Sequence, residues 1–264
     1  MALDLRAFKR PPKLTRERLV WIDRARGAAL VAMIIYHAFW DALFLGVWAW
    51  SPQRDALLGV IAPFIAGSFL AISGLSIALA DRACDGPLIT NHRFLRRMVF
   101  LASAAALITI VTLFALPQAP IYFGVLHHIF VASILLALLV GAHPFFTLSV
   151  GAVVLIVHEA VALEAFNTPA LIWIGLGTRA PVTADWVPMM PWLAVGCIAC
   201  ALGRAWLLPW LASRPTATAD ISSWPTYDVL SWMGRHSLAI YLIHQPILIG
   251  LLTLVGQLHP APLA

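Results

Sequence analysis

Apolar residues run in seven long stretches along the chain, near residues 27–50, 56–80, 98–116, 121–141, 145–163, 187–210 and 236–256. Between them stand helix stops and loop signals: Ser51-Pro52, Asp85-Gly86-Pro87, residues 117–120, His143-Pro144, Arg214-Pro215 and Trp224-Pro225. A membrane-crossing helix needs about 20 predominantly apolar residues. The pattern therefore predicts an all-α, polytopic transmembrane bundle of about seven long spans, within a range of about seven to nine. A basic leader over 1–26, one transmembrane domain over 27–256 and a short tail over 257–264 complete the expected organisation. No cleavage site follows the leader, because the first apolar run continues unbroken to residue 50. Residues 164–185 stand apart. Their stretch 169–177 is apolar but too short to span, so it reads equally as an interfacial or re-entrant half-helix and as a Trp-anchored loop.

Composition narrows the class. Of 264 residues, 61% are hydrophobic and 11% charged, with mean hydropathy +0.89. Soluble globular chains carry about 25% charged residues. A soluble enzyme, a disordered tail and a nucleic-acid-binding domain are excluded together. The net charge of +5 changes meaning once its residues are placed. With seven spans and an N-terminus in the cytoplasm, fifteen of the seventeen Lys and Arg fall in inner segments, leaving Arg54 and Arg179 outside. That split follows the positive-inside rule and puts the C-terminus outside. The basic balance reports topology rather than a nucleic-acid partner. The three cysteines, Cys84, Cys197 and Cys200, form no disulfide framework. Cys197 and Cys200 lie in an apolar run and read as small packing residues, so no metal is expected.

Ionisable residues inside spans are costly and mark candidate sites. The first span carries Asp23, Arg26, His37 and Asp41 on one stripe at about 100° per residue. At about 1.5 Å per residue, His37 lies roughly 16 Å beyond Arg26, near mid-membrane. Asp41, one turn further, is placed to accept a proton from one imidazole nitrogen and leave the other as a base. A plain interhelical His–Asp hydrogen bond is the alternative. A second cluster, Tyr122-Phe-Gly-Val-Leu-His127-His128, opens the fourth span, and these two histidines point about 100° apart, so one at most joins a site. A third is Gly234-Arg-His-Ser237-Leu-Ala-Ile-Tyr241-Leu-Ile-His244-Gln245-Pro246, where Ser237, Tyr241 and His244 share a face. His92, His143, His158 and His236 sit at span ends, where an interfacial role is the simpler reading. Arg93, Arg96 and Arg97 start the third span. Topology accounts for them, and so does a phosphate clamp, since guanidinium forks match phosphate oxygens. No P-loop or dinucleotide-binding glycine pattern accompanies them.

Arg18-x4-Asp23-x2-Arg26-Gly27 followed by Met33-x3-His37-x3-Asp41 resembles the opening of the transmembrane acyltransferase superfamily. It looks closest to the bacterial branch with a heparan-alpha-glucosaminide N-acetyltransferase catalytic domain, which is related to the acyltransferase-3 family. Phe69-Leu-Ala-Ile-Ser-Gly74, Phe123-Gly-Val-Leu-His127, Asp185-Trp-x-Pro188-x2-Pro191-Trp192 and the segment 234–246 match in order, covering roughly 18–250. The resemblance implies an enzyme of the bacterial inner membrane. It would take an acyl group, expected to be acetyl, from cytoplasmic acyl-CoA and deliver it to a glycan or amino-sugar acceptor outside, at an amine or hydroxyl. It implies His37 as general base oriented by Asp41, and His127 or His244 at the acceptor or oxyanion. Arg26, Arg93, Arg96 and Arg97 would hold the CoA phosphates, with Asp23, Tyr122, Ser237, Tyr241 and Gln245 orienting substrate. The chain departs from the eukaryotic pattern by carrying His37-Ala38 in place of Asn-Tyr. It has no histidine over residues 44–50, so direct transfer is expected rather than an acetyl-histidine relay. A proton-coupled transporter, with the intramembrane His and Asp as a relay, is the competing reading.

Overall fold

The computed structural model describes residues 20–213 and 228–258. Residues 1–19 of the basic leader, which include Arg18 of the opening motif, Arg214 and residues 259–264 of the expected tail lie outside these residues. All seven apolar runs are helical. They are α1 (Val20–Phe44), α2 (Pro52–Arg82), α3 (His92–Ala115), α4 (Val125–Leu139), α5 (Pro144–Ala160), α6 (Met189–Leu202) and, at the end of the chain, α9 (Ser237–Leu258). α6 passes through a π-helical turn, Gly203–Leu207, into the short α7 (Leu208–Ser213), and α8 (Val229–Arg235) precedes α9. Among the described residues there is no strand, only an isolated bridge between Phe123 and Trp186.

Among the described residues, five helical stretches are long and apolar enough to cross a membrane: Val20–Phe44, Pro52–Arg82, His92–Ala115, Met189–Trp210 and Ser237–Val255. α4 and α5, with 15 and 17 residues, are apolar but shorter. The fold is an all-α membrane bundle. The chain folds back at helix boundaries the sequence marks: Pro52 opens α2 with Ser51 Oγ accepting from the Arg54 amide at 3.3 Å, and Asn91 caps α3 by accepting from the Arg93 and Phe94 amides at 2.9 and 3.3 Å. Two prolines lie inside helices, Pro63 in α2 and Pro246 in α9. Each removes an amide donor from the helical ladder.

The contacts group into two compact units. One comprises residues 70–213 of the described chain. There α5 packs on α6 through Gly151, where an added Cβ would come to 3.0 Å from the Cys197 Cβ. Cys197 and Cys200 are fully buried and unbridged, as expected of small packing residues. Residues 164–174 form two 3-10 turns, Glu164–Asn167 and Ile172–Ile174, so the half-helix alternative gives way to a structured loop. Gly175 closes the second turn at φ 87°, a left-handed position that favours glycine.

The other unit comprises residues 20–69 and 228–258. α1 is helical from Val20, the first described residue, so the ionic turn Asp23–Arg26 belongs to the helix. Two glycines bring α1 and α8 into backbone contact: a Cβ on Gly27 would fall on the Leu230 carbonyl, and one on Gly234 on the Asp23 carbonyl. An ion pair between Arg24 and Asp228 closes the same contact. α8 was not foreseen as a separate helix. Its chain turns at His236 (φ −102°, ψ 20°), whose Nδ1 donates to the Trp232 carbonyl at 2.9 Å, capping the end of α8.

Candidate active site

In the unit of α1, α8 and α9, the polar stripe of α1 meets the histidine segment of α9. Asp23 and Arg26 pair at 3.1 Å in the first two turns of α1, and Arg26 NH1 also lies 3.5 Å from the Gly234 carbonyl. Arg24 beside Asp228 holds that carboxyl below the usual carboxylate range. These bonds tie the entrance of α1 to α8.

Further along, the His37 and His244 rings lie 5.1 Å apart between centroids, tilted by 52°. Asp41, 1% exposed, accepts at Oδ1 from Gln245 Nε2 at 2.9 Å. The partner of Asp41 is thus Gln245, and His37 and Asp41 make no hydrogen bond to each other among the described residues. His244 Nδ1 lies 2.7 Å from the Tyr241 carbonyl, with the Tyr241 ring 5.7 Å away. Tyr36 meets His37 edge-on at 5.3 Å. Within this cluster four buried polar atoms have no partner among the described residues: His37 Nδ1, Asp41 Oδ2, His244 Nε2 and Gln245 Oε1. Buried side-chain polar atoms are overwhelmingly hydrogen-bonded, so four exceptions on facing turns of two helices single out this cluster. Ser237 opens α9 and is half-buried, seven residues before His244.

In the unit of residues 70–213, His127 stands on the first turn of α4. Its Nδ1 accepts from the Gly124 amide at 3.3 Å, so Nε2 carries the proton and donates to Thr109 Oγ1 at 3.0 Å. Thr109 Oγ1 in turn donates a hydrogen bond to the Ile121 carbonyl at 2.8 Å. Both nitrogens of His127 are occupied, an arrangement that holds a helix start and leaves no lone pair for base chemistry. His128 is 1% exposed, with Nδ1 within 3.2 Å of the Val187 and Pro188 carbonyls. Tyr122 precedes α4 and is exposed. His143, one of the span-end histidines, caps α5 by accepting from the Phe145 amide at 3.2 Å.

Sequence reasoning singled out Asp185 only through motif resemblance. Its structural part is a strap over residues 183–188. Val125 N–H donates to Asp185 Oδ2 at 2.9 Å, Thr183 Oγ1 donates to the Pro120 carbonyl at 2.7 Å, and Val187 N–H to the Phe123 carbonyl at 3.1 Å. Burial pushes the Asp185 carboxyl above its ordinary value, against the opposing pull of the Val125 amide. A carboxyl whose folded-state value is raised contributes most below the unfolded value of 3.8 and less as pH rises through the folded value. Thermal stability of the detergent-solubilised protein is therefore expected to fall with rising pH by an increment that Asp185→Asn abolishes. An unchanged pH slope in that variant would remove Asp185 from the strap's titration.

At the start of α3, Arg93 and Arg96 are exposed, with Arg96 5.7 Å over the Phe100 ring, and Arg97 is half-buried. Three cations here sit at the positive end of a helix dipole, where an anion is favoured. No group of three or more His, Cys, Asp or Glu able to hold a metal occurs among the described residues.

A polytopic bundle of apolar helices defines a multi-pass membrane protein, here with histidine, carboxylate and amide side chains gathered between two of its helices. Its sequence identifies it further: the model of the heparan-alpha-glucosaminide N-acetyltransferase catalytic family matches residues 18–246, and the chain belongs to that family. It is a membrane enzyme of the acetyltransferase type. No curated protein and no solved structure matches it.

Proposed function

We propose that this protein transfers an acyl group, acetyl in the first instance, from acyl-CoA to the amine or hydroxyl of a sugar. The four unpartnered polar atoms on the facing turns of α1 and α9 carry the reading. A transferase of this kind must take a proton from the attacking group as the carbonyl is attacked. Two imidazoles within one ring contact of each other supply that capacity. The Asp41–Gln245 bond holds one carboxylate oxygen and the amide nitrogen, leaving an oxygen on each for a substrate donor.

Arg93, Arg96 and Arg97 are assigned to the CoA phosphates, supported by their charge and their place at the start of α3. Arg26, bonded to Asp23 and near the Gly234 carbonyl of α8, is assigned to supporting the entrance of α1. The excess of Lys and Arg on one side supports a cytoplasmic N-terminus, hence a cytoplasmic donor and an acceptor on the opposite face. Tyr122 and Ser237 are assigned to acceptor binding. His127, with both nitrogens engaged, is assigned to positioning the start of α4 rather than to the chemistry.

Acetyl-CoA is expected to raise the melting temperature of the purified protein in detergent. At a ligand concentration of about 100 times Kd, the stabilisation is about 2.7 kcal/mol. Labelled acetyl-CoA is expected to pass its acetyl group to methyl α-glucosaminide. The absence of both stabilisation and label transfer would be incompatible with the reading.

A further inference from the structure

The two imidazoles of the site are not equivalent. His244 Nδ1 lies 2.7 Å from the Tyr241 carbonyl oxygen. A carbonyl only accepts, so Nδ1 must carry the ring proton. In the neutral ring the lone pair then lies at Nε2. That atom is buried and without a partner among the described residues, on a residue only 8% exposed. The tautomer is fixed by the histidine's own helix, one turn back. His37 has no such anchor. Neither of its nitrogens is hydrogen-bonded among the described residues, so it can present an N–H toward a substrate.

We propose that, within the acyl transfer assigned above, His244 is the catalytic base and His37 the hydrogen-bond donor, reversing the roles that the first-helix motif implies. The acceptor's nitrogen or oxygen attacks the acyl carbonyl carbon, and its proton passes to His244 Nε2. The new C–N or C–O bond forms, and His37 N–H donates to the carbonyl oxygen as that oxygen gains charge. The C–S bond then breaks with its electron pair on sulfur. The His244 imidazolium returns the proton to the thiolate, giving free CoA and a neutral His244. The Nδ1–H bond to Tyr241 persists throughout, so the ring neither flips nor changes tautomer between turnovers. The other titratable groups facing the pair are Asp41, bonded to Gln245, with Tyr36 against His37 and Tyr241 against His244.

Two amide substitutions separate the roles, because the asparagine amide nitrogen stands where Nδ1 stands and the glutamine one where Nε2 stands. His244→Asn keeps the donor to Tyr241 and deletes the base. It is expected to retain stabilisation by acetyl-CoA while acetyl transfer to methyl α-glucosaminide falls by about 10²–10⁴-fold. His37→Gln keeps a donor. It is expected to lose less activity and to retain the acid limb of the pH–rate profile, which belongs to the base.

Wild-type-like turnover in His244→Asn overturns the assignment, and so does loss of its acetyl-CoA stabilisation along with activity, which marks a structural histidine. Loss of the acid limb in His37→Gln returns the base to His37, and this arm decides the matter if His244→Asn does not fold. An inactive wild type that acetyl-CoA does not stabilise removes the transferase reading itself. An active wild type with an active His244→Asn removes only the division of roles.

Discussion

Acetyl transfer by His37→Ala protein is expected to fall by about 10²–10³-fold, the loss that follows removal of one preorganised donor at a developing oxyanion. The fold is expected to survive. His37 makes no hydrogen bond to the described protein, and its Nδ1 is already without a partner, so alanine leaves no new buried polar atom unpaired. Melting temperature and acetyl-CoA stabilisation should stay near wild type while turnover collapses. A histidine present only to bridge helices makes the opposite prediction, a destabilised protein with little specific loss per folded molecule. Rates on purified protein, normalised to the folded fraction, separate the two. His37→Ala turnover near that of wild type would sink the site as drawn.

The second large effect falls on stability. Gly234→Val is expected to prevent stable packing of α8 on α1, because a Cβ there coincides with the Asp23 carbonyl and no flexible side chain can yield. The cost lies at or above the upper end of the about 1–3 kcal/mol typical of overpacking, since backbone rather than side chain must move. Gly250→Ala in α9 is the matched control. Nothing lies within 4 Å of its added Cβ, so the variant should be neutral or slightly more stable through higher helix propensity. Melting curves of both variants in one detergent test the contrast. Equal melting temperatures for the two would show that the close approach of α1 and α8 is not required.

Much of the bundle was legible in the pattern of apolar runs, because burial in lipid imposes length and continuity on every span. α8 was not. Seven residues between Asp228 and His236 carry no periodic signal long enough to separate from the span that follows, and the two glycines that dock helices read locally as helix breakers. The site was half legible. His37, Asp41, His244 and Gln245 stood out as polar residues in apolar runs, and helical periodicity placed them on faces. Which of them would pair was not encoded locally: at i+4 from His37, Asp41 was the natural partner, yet Gln245, 204 residues away, takes its oxygen. His127 shows the converse. Its position was conspicuous, but its engagement by Thr109 and Gly124 depends on a loop whose course only tertiary structure reveals.

Pro246 follows directly on the turn that carries Tyr241, His244 and Gln245. Lacking an amide hydrogen, it leaves the Leu242 carbonyl without its helical donor, so bending α9 there costs less than at a fully bonded turn. Pro246 thereby divides α9 into the half that carries Tyr241 and His244 and the half beyond it. Flexing at this point leaves the hydrogen bond between His244 and the Tyr241 carbonyl, which lies wholly within the first half, intact.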